Sequence, residues 1–214
     1  MGVNMAGNCI IDDEVVCEAA KNEIIRRYYQ ALKNKRNGIC DEDTIYKANL
    51  IMKQAGVTPD MRAVVGDAKA RAEETHDAAC AIQLPDGKIV TGRTTPLLGA
   101  ASAALLNALK TLGNIDDSIE LISPTIIEPI QRLKVNHMGA VNPRLHTDEI
   151  LMALAICAVS DSKAKLALAQ LDKLKNCEIH STVILSHVDE KTFKTLGMHV
   201  TCEPQRQTSN CYYH

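Results

Sequence analysis

Apolar positions in this chain recur first at helical spacing, then alternate in two short runs, then return to helical spacing. Val16, Ala20, Ile24, Tyr28 and Leu32 stand at every fourth position. They draw one apolar stripe along a helix that runs from the Asp12–Asp13 caps to about Lys35 and ends before Gly38. Ile45, Ala48, Ile51, Met52 and Ala55 predict a second helix, opening at Asp41 to Asp43 and stopping at Gly56. Thr58 followed by Pro59 is a favoured helix start and predicts a third, continuing to Glu74. Short connections make these three a helical subdomain over residues 1–77.

From residue 78 the pattern changes. Ala79 to Leu84 and Lys88 to Gly92 read as strands about a Pro85-Asp86-Gly87 turn. A helix of small and aliphatic residues follows from Leu98 to Thr111. Helices are predicted at 124–135, at 148–159 behind a Thr147 cap, at 162–174 and from Asp189 to Leu196. Strands are predicted at Ile119 to Ile122, Ser181 to Ser186 and Met198 to Cys202. The expected fold class is α/β (α+β), with an α/β subdomain over 78–204 and a frayed polar tail at 205–214.

Composition narrows the core and the compartment. With one Phe (Phe193), five Tyr and no Trp in 214 residues, the core must be mainly aliphatic. A formal charge of −2 gives no field for a polyanion. The main basic cluster, Lys33 to Arg36, ends a helix, where cations are favoured anyway, so no nucleic-acid partner is expected. Cys17, Cys80 and Cys157 lie among apolar residues like small hydrophobes. No basic region with a following apolar stretch opens the chain, and no apolar run nears the ~20 residues of a membrane span. The expectation is a cytoplasmic protein with free thiols and no membrane partner.

Several motif families fail on inspection. Gly87-Lys88-Ile89-Val90-Thr91-Gly92-Arg93-Thr94 approaches a P-loop, yet Ile89-Val90-Thr91 is strand-forming where a flexible loop is needed. The hairpin, loop and Ala-rich helix are similar to the opening of the cytidine-deaminase fold. In the best register Gly99 stands at the ligand position and Ala101 at the acid, and no Pro precedes a Cys. Cys177 with His180 is a pair short of the three or four ligands zinc wants. No metal and no cofactor are expected.

Three polar clusters remain as candidate chemistry. Arg93, Thr94 and Thr95 precede a helix start, where backbone N–H groups favour an anion and Arg93 adds a charged fork. In Asn142 to Glu149, the residues Thr147, Asp148 and Glu149 suit a helix start by themselves, whereas Arg144 and His146 do not serve capping. His146 is the foremost acid–base candidate, since imidazole titrates near neutrality. His180 and Ser181 lead into a buried strand, and residues at the edges of α/β sheets often line ligand clefts.

Six blocks in order carry a family resemblance. They are Met1 to Gly7, Ile24-Ile25-Arg26-Arg27-Tyr28-Tyr29, Thr94 to Ala100, Ile127 to Lys134, Asn142 to Glu149 and His180 to Ser186. Together they resemble a bacterial family known as domain of unknown function 1846. Members of that family are longer, with an α/β region ahead of the segment matched. The resemblance implies that this chain is the C-terminal half of such a protein. It also implies a helical subdomain followed by a deaminase-like, three-layer α/β subdomain lacking the zinc motif. It carries over no reaction, and whether the chain is an enzyme stays open, because no cluster assembles nucleophile, base and orienting group. The leading expectation is a ligand-binding and assembly half acting on a phosphorylated or carboxylated small molecule. Arg93, Thr94 and Thr95 would hold the anion beside His146 and His180. The alternative is a non-catalytic domain that forms homo-oligomers through its helical layer.

Overall fold

A computed structural model describes residues 13–207. The Met1–Gly7 block, the Asp12 cap and the tail beyond residue 207 lie outside the described residues. The chain divides between Arg62 and Ala63 into two compact units.

The first unit holds helices α1 (Asp13–Arg36) and α2 (Glu42–Ala55). Three basic residues, Lys33, Lys35 and Arg36, close α1, complementing the partial negative charge of its C-terminal carbonyls. The Asp41 side chain accepts the Thr44 N–H and caps α2. Gly56, at φ 64°, ends it in the left-handed conformation that glycine adopts without strain. The predicted third helix begins later than Thr58. Pro59–Met61 form only a 3-10 turn, Thr58 makes no cap, and Arg62 is extended, which resets the chain before α3 (Ala63–Thr75).

In the second unit α3 lies on a sheet, so the division falls at 62/63 rather than after residue 77. Strands β1 (Ala79–Gln83) and β2 (Ile89–Arg93) form the expected hairpin. Gly87 turns it at φ 84°, and Asp86 accepts the Lys88 N–H at 3.0 Å. The candidate P-loop is therefore a hairpin arm. The four-stranded sheet has the order β2-β1-β3-β4, with β3 (Glu178–Ser181) antiparallel to β1 and parallel to β4 (His199–Cys202).

Alternation along the strands divides the sheet into two faces. Cys80, Ile82, Val90 and Ile179 point into the main core with α4 (Ala100–Leu112), α6 (Thr147–Cys157), α7 (Ser162–Leu168) and α8 (His187–Thr195). Ala81 and Ile89 point the other way, against Val64 and Ala68 of α3. Gly92 permits the closest approach between layers. A Cβ there would stand 2.1 Å from the backbone nitrogen of Ala104, so α4 lies almost on the strand.

Three expected elements differ. Ile119 to Ile122 is not a strand: Asp116 turns the chain by accepting the Ser118 N–H, and Leu121 and Ile122 are buried to anchor a loop. Ser123 then caps α5 (Pro124–Asn136). The strand expected at Ser181 to Ser186 lies three residues earlier, because the chain must leave the sheet to reach the Ser186 cap of α8. Thr182 marks the exit, its hydroxyl accepting the Ala79 N–H at 2.9 Å. The helix expected at 162–174 is α7 followed by a 3-10 turn at Leu171–Leu174. The tail expected to fray from 205 is held at its start, where Ile184 N–H donates to the Gln205 carbonyl at 2.7 Å. Among the described residues, no helix is long and apolar enough to cross a membrane.

Candidate functional site

The loop after β2 uses its polar groups internally. Thr94 N–H donates to the Ala78 carbonyl and Thr95 N–H to the Leu98 carbonyl, both at 2.9 Å. The Thr95 hydroxyl accepts Leu98 N–H at 3.0 Å, and Gln207 Nε2 donates to Thr94 Oγ1 at 3.4 Å. Arg93, whose side chain is 45% exposed, is bound to Asp77 at 3.1 Å. The fork expected to meet a ligand anion thus already has a carboxylate.

The segment before α6 joins this loop. Asn142 accepts the Arg144 N–H, tightening the approach to the helix. Arg144 is buried, and its Nε donates to the Thr95 carbonyl at 2.7 Å. Leu145 N–H donates to the Leu97 carbonyl, and the Ser102 hydroxyl donates to the Leu145 carbonyl. Two of the three clusters therefore meet. The N-cap of α6 is His146 rather than Thr147, and its N–H donates to Glu149 Oε2 at 2.7 Å. The same oxygen receives the Lys134 ammonium at 2.7 Å, which also donates to the Arg144 carbonyl.

The His146 ring is set by Asp189, from the first turn of α8. Nδ1–H donates to Asp189 Oδ2 at 3.0 Å, while Thr147 N–H donates to Asp189 Oδ1 at 2.9 Å. Ser186 Oγ donates to Asp189 Oδ2 at 2.7 Å and stands 3.3 Å from His146 Nδ1. Asp189 is buried and His146 keeps a quarter of its side chain exposed. The Asp189 hydrogen bond raises the His146 pKa against the pull of burial, helped by the charge of Asp189. Burial alone would raise Asp189. Its bond to His146, the imidazolium charge, the Ser186 hydroxyl and the Thr147 N–H outweigh that and hold it below the usual range.

This arrangement fits acid–base work and not serine nucleophilic catalysis. A triad needs carboxylate and serine on opposite ring nitrogens. Here both lie at Nδ1, and the Ser186 proton is committed to Asp189. Fixing Nδ1 leaves Nε2 as the nitrogen for a reacting group.

The third cluster does not join the other two. His180 is fully buried and pairs in register with Ala81, so it faces α3, away from the core face that Ile179 and Ser181 occupy. Its Nδ1 lies 2.9 Å from Thr201 Oγ1 and its Nε2 3.5 Å from Glu203. Lys69 of α3 approaches the same carboxylate at 3.0 Å. The His180 hydrogen bond, opposed by burial and helped by Lys69, brings Glu203 down to about 2. Ser181 is buried beside Cys80, whose thiol burial pushes up to about 12. Cys177 is likewise raised to about 11, chiefly by burial, and so stays a thiol. Among the described residues, no group of three His, Cys, Asp or Glu side chains is placed to hold a metal ion.

Sequence reading missed Asp189, Ser186 and Lys134. The signal for the first two was present: Ser186-His187-Val188-Asp189 is the Ser-x-x-Asp of a capping box at a helix start. Lys134 carries no local signal, being a lysine on a helix.

Comparison with known proteins assigns the whole segment. Residues 1–56 match the N-terminal domain of unknown function DUF1846, and residues 60–212 match its C-terminal domain. The chain therefore represents both family domains, and the expected description as a C-terminal half was inexact. It is 53% identical over 205 residues to a UPF0371 protein of Corynebacterium aurimucosum, covering 95% of this chain and 41% of that protein. Over 212 residues it is 50% identical to a UPF0371 protein of Corynebacterium diphtheriae, covering 99% of this chain and 43% of that one. A Streptococcus thermophilus UPF0371 protein is 48% identical over 212 residues, with 99% and 43% covered. The chain thus spans about two fifths of the length of these relatives. It belongs to the DUF1846 family, whose function is unknown.

Proposed function

We propose that this chain contributes a general acid–base histidine, His146 oriented by Asp189, to an enzyme-like protein acting on an anionic small molecule. The observation that carries the reading is the 3.0 Å contact between His146 Nδ1 and a buried carboxylate. It fixes the tautomer, raises the pKa and leaves Nε2 for a substrate proton. An imidazolium at that place adds positive charge beside Lys134 and Arg144, which favours a phosphorylated or carboxylated substrate. The anion contacts belong with Arg144 and the Thr94–Thr95 loop it binds, while Arg93 would have to leave Asp77 to take part.

The finer fold reading, a three-layer deaminase-like subdomain, is supported by the order hairpin, loop, Ala-rich helix. Gly99 and Ala101 carry no ligating atoms at the two catalytic positions, so zinc deamination is not proposed. The alternative, an assembly domain, draws on the exposed apolar side chains Ile156 and Val159, at 67% and 87%.

A thermal-shift panel of nucleotides, sugar phosphates and small carboxylates tests the main reading. A ligand at 100 times its Kd adds about 2.7 kcal/mol of stability. His146→Gln should weaken a response that depends on the imidazolium and flatten its pH dependence. A response identical in His146→Gln and Arg144→Ala would remove the proposed site.

A further inference from the structure

The apolar stripes that the sequence draws on the first two helices are not the faces this chain buries. Val16, Ala20, Ile24, Tyr28 and Leu32 recur at every fourth position of α1, and none of them is buried. The buried residues of α1 are Ile25, Tyr29 and Ala31 instead. On α2 only Met52 is buried, and Ile51 beside it is 50% exposed. An amphipathic stripe is the mark of a helix that faces a core. Among the described residues, the first unit adds to these helices only the turn at Pro59–Met61.

The uncovered stripes meet in one place. Val16, Ala20 and Ile24 of α1, with Ala48 and Ile51 of α2, line a groove of about 710 Å³. The cations of its lining are already engaged, Arg27 with Glu23 at 2.8 Å and Lys47 with Asp43 at 3.6 Å. The groove thus offers apolar area rather than charge, which suits the apolar face of a polypeptide.

The family match identifies that polypeptide. The C-terminal family domain, residues 60–212, has a core of its own that reaches from Cys80 to Met198. The N-terminal family domain is represented by residues 1–56, whose described part is these two helices. A domain closes its amphipathic elements around one shared core. The match covers 41% and 43% of two Corynebacterium relatives, so more than half of each lies outside it. We infer that the α1–α2 groove is the seat of this further family sequence, which lays an apolar face between the two helices and completes the core of the N-terminal domain.

Carbene footprinting read by mass spectrometry tests this, run on the full chain and on the full-length UPF0371 protein of Corynebacterium diphtheriae. In this chain Val16, Ile24 and Ile51 should label at every concentration from about 0.5 to about 50 µM. At the aligned positions of the relative, labelling should fall about 5-fold or more, because the core of an interface packs like a protein interior. Dilution should not restore it. Ile51→Glu carried to the aligned position of the relative should restore labelling at the other groove positions and leave that of the C-terminal domain unchanged. In this chain Ile51→Glu should alter neither the far-UV circular dichroism nor the labelling pattern. Equal labelling of the groove in the two proteins, whether high or low, overturns the inference and leaves the groove to a small apolar ligand. Protection that fades on dilution also overturns it, by assigning the groove to contact between copies. So does protection in the relative that Ile51→Glu fails to relieve.

Discussion

Asp189→Asn is the most informative single change in the candidate site. Asp189 Oδ1 accepts one backbone N–H, from Thr147, and Oδ2 accepts from the His146 ring and the Ser186 hydroxyl. An asparagine carbonyl can keep the Thr147 bond, but its NH₂ then meets Nδ1–H, and two charge-assisted bonds are lost. At about 1.5–3 kcal/mol for each bond to a charged group, and with partial rescue by tautomer exchange, the loss should be about 2–4 kcal/mol. The pH dependence follows from the two shifts. The raised pKa of His146 contributes stability that is present below its unfolded value near 6.5 and lost as pH rises through the folded value. The lowered pKa of Asp189 contributes stability present above 3.8 and lost as pH falls through its folded value. The pair is therefore strongest between these limits, and the variant should lose most there. Urea unfolding from pH 4 to 9, with NMR titration of the His146 ring, measures both. A variant whose His146 titrates as in wild type, or one that loses under about 0.5 kcal/mol, would refute the proposed coupling.

Three further outcomes follow from the packing. Gly92→Ala forces a methyl group 2.1 Å from the Ala104 nitrogen, so it should cost about 3 kcal/mol or more in urea unfolding. Lys134→Met leaves Glu149 and the Arg144 carbonyl without their ammonium, and should destabilise by about 3–5 kcal/mol, again read by urea unfolding. Glu203→Gln removes a carboxylate whose lowered pKa contributes stability above about 4.5 and loses it toward about 2. Its acid-unfolding curve should accordingly be flatter than wild type between pH 5 and 2.

Local signals made much of the architecture legible. The stripe of Val16, Ala20 and Ile24, the caps at Asp41 and Gly56, and the Asp86-Gly87 turn each act within a few residues. Features decided by distant partners were not legible. Thr182, Val183 and Ile184 have strand composition, yet the hydroxyl of Thr182 ends the ladder by bonding Ala79, and Ser186 is needed at a helix start. Ile119 and Leu121 alternate like a strand, but Asp116 turns the chain just before them and Leu121 is buried as the anchor of a loop. Within the site, Arg144 and His146 were legible as polar residues beside a helix start, although His146 turns out to be the N-cap itself, a place that Thr147 had been expected to fill. The separation of His180 from His146 was not legible, because it depends on which face of β3 meets α3. Asp189 was hidden for another reason: an acid in the first turn of a helix satisfies the helix by itself, which masks its bond to a ring 43 positions earlier.

The place of β1 in the sheet has a consequence for synthesis. Its neighbour on one side, β2, follows at once, but its other neighbour is far along the chain, as the 103 positions between Ala79 and Thr182 show. A ribosome adding about 5–20 residues each second needs roughly 5–20 s to cover that distance. Through that interval the nascent hairpin exposes an open edge bearing Cys80 and Ile82, a ready template for strands of other chains. The emerging polypeptide is thus most prone to aggregate before residue 178 is made, and a chaperone that covers this edge on the ribosome should raise its yield.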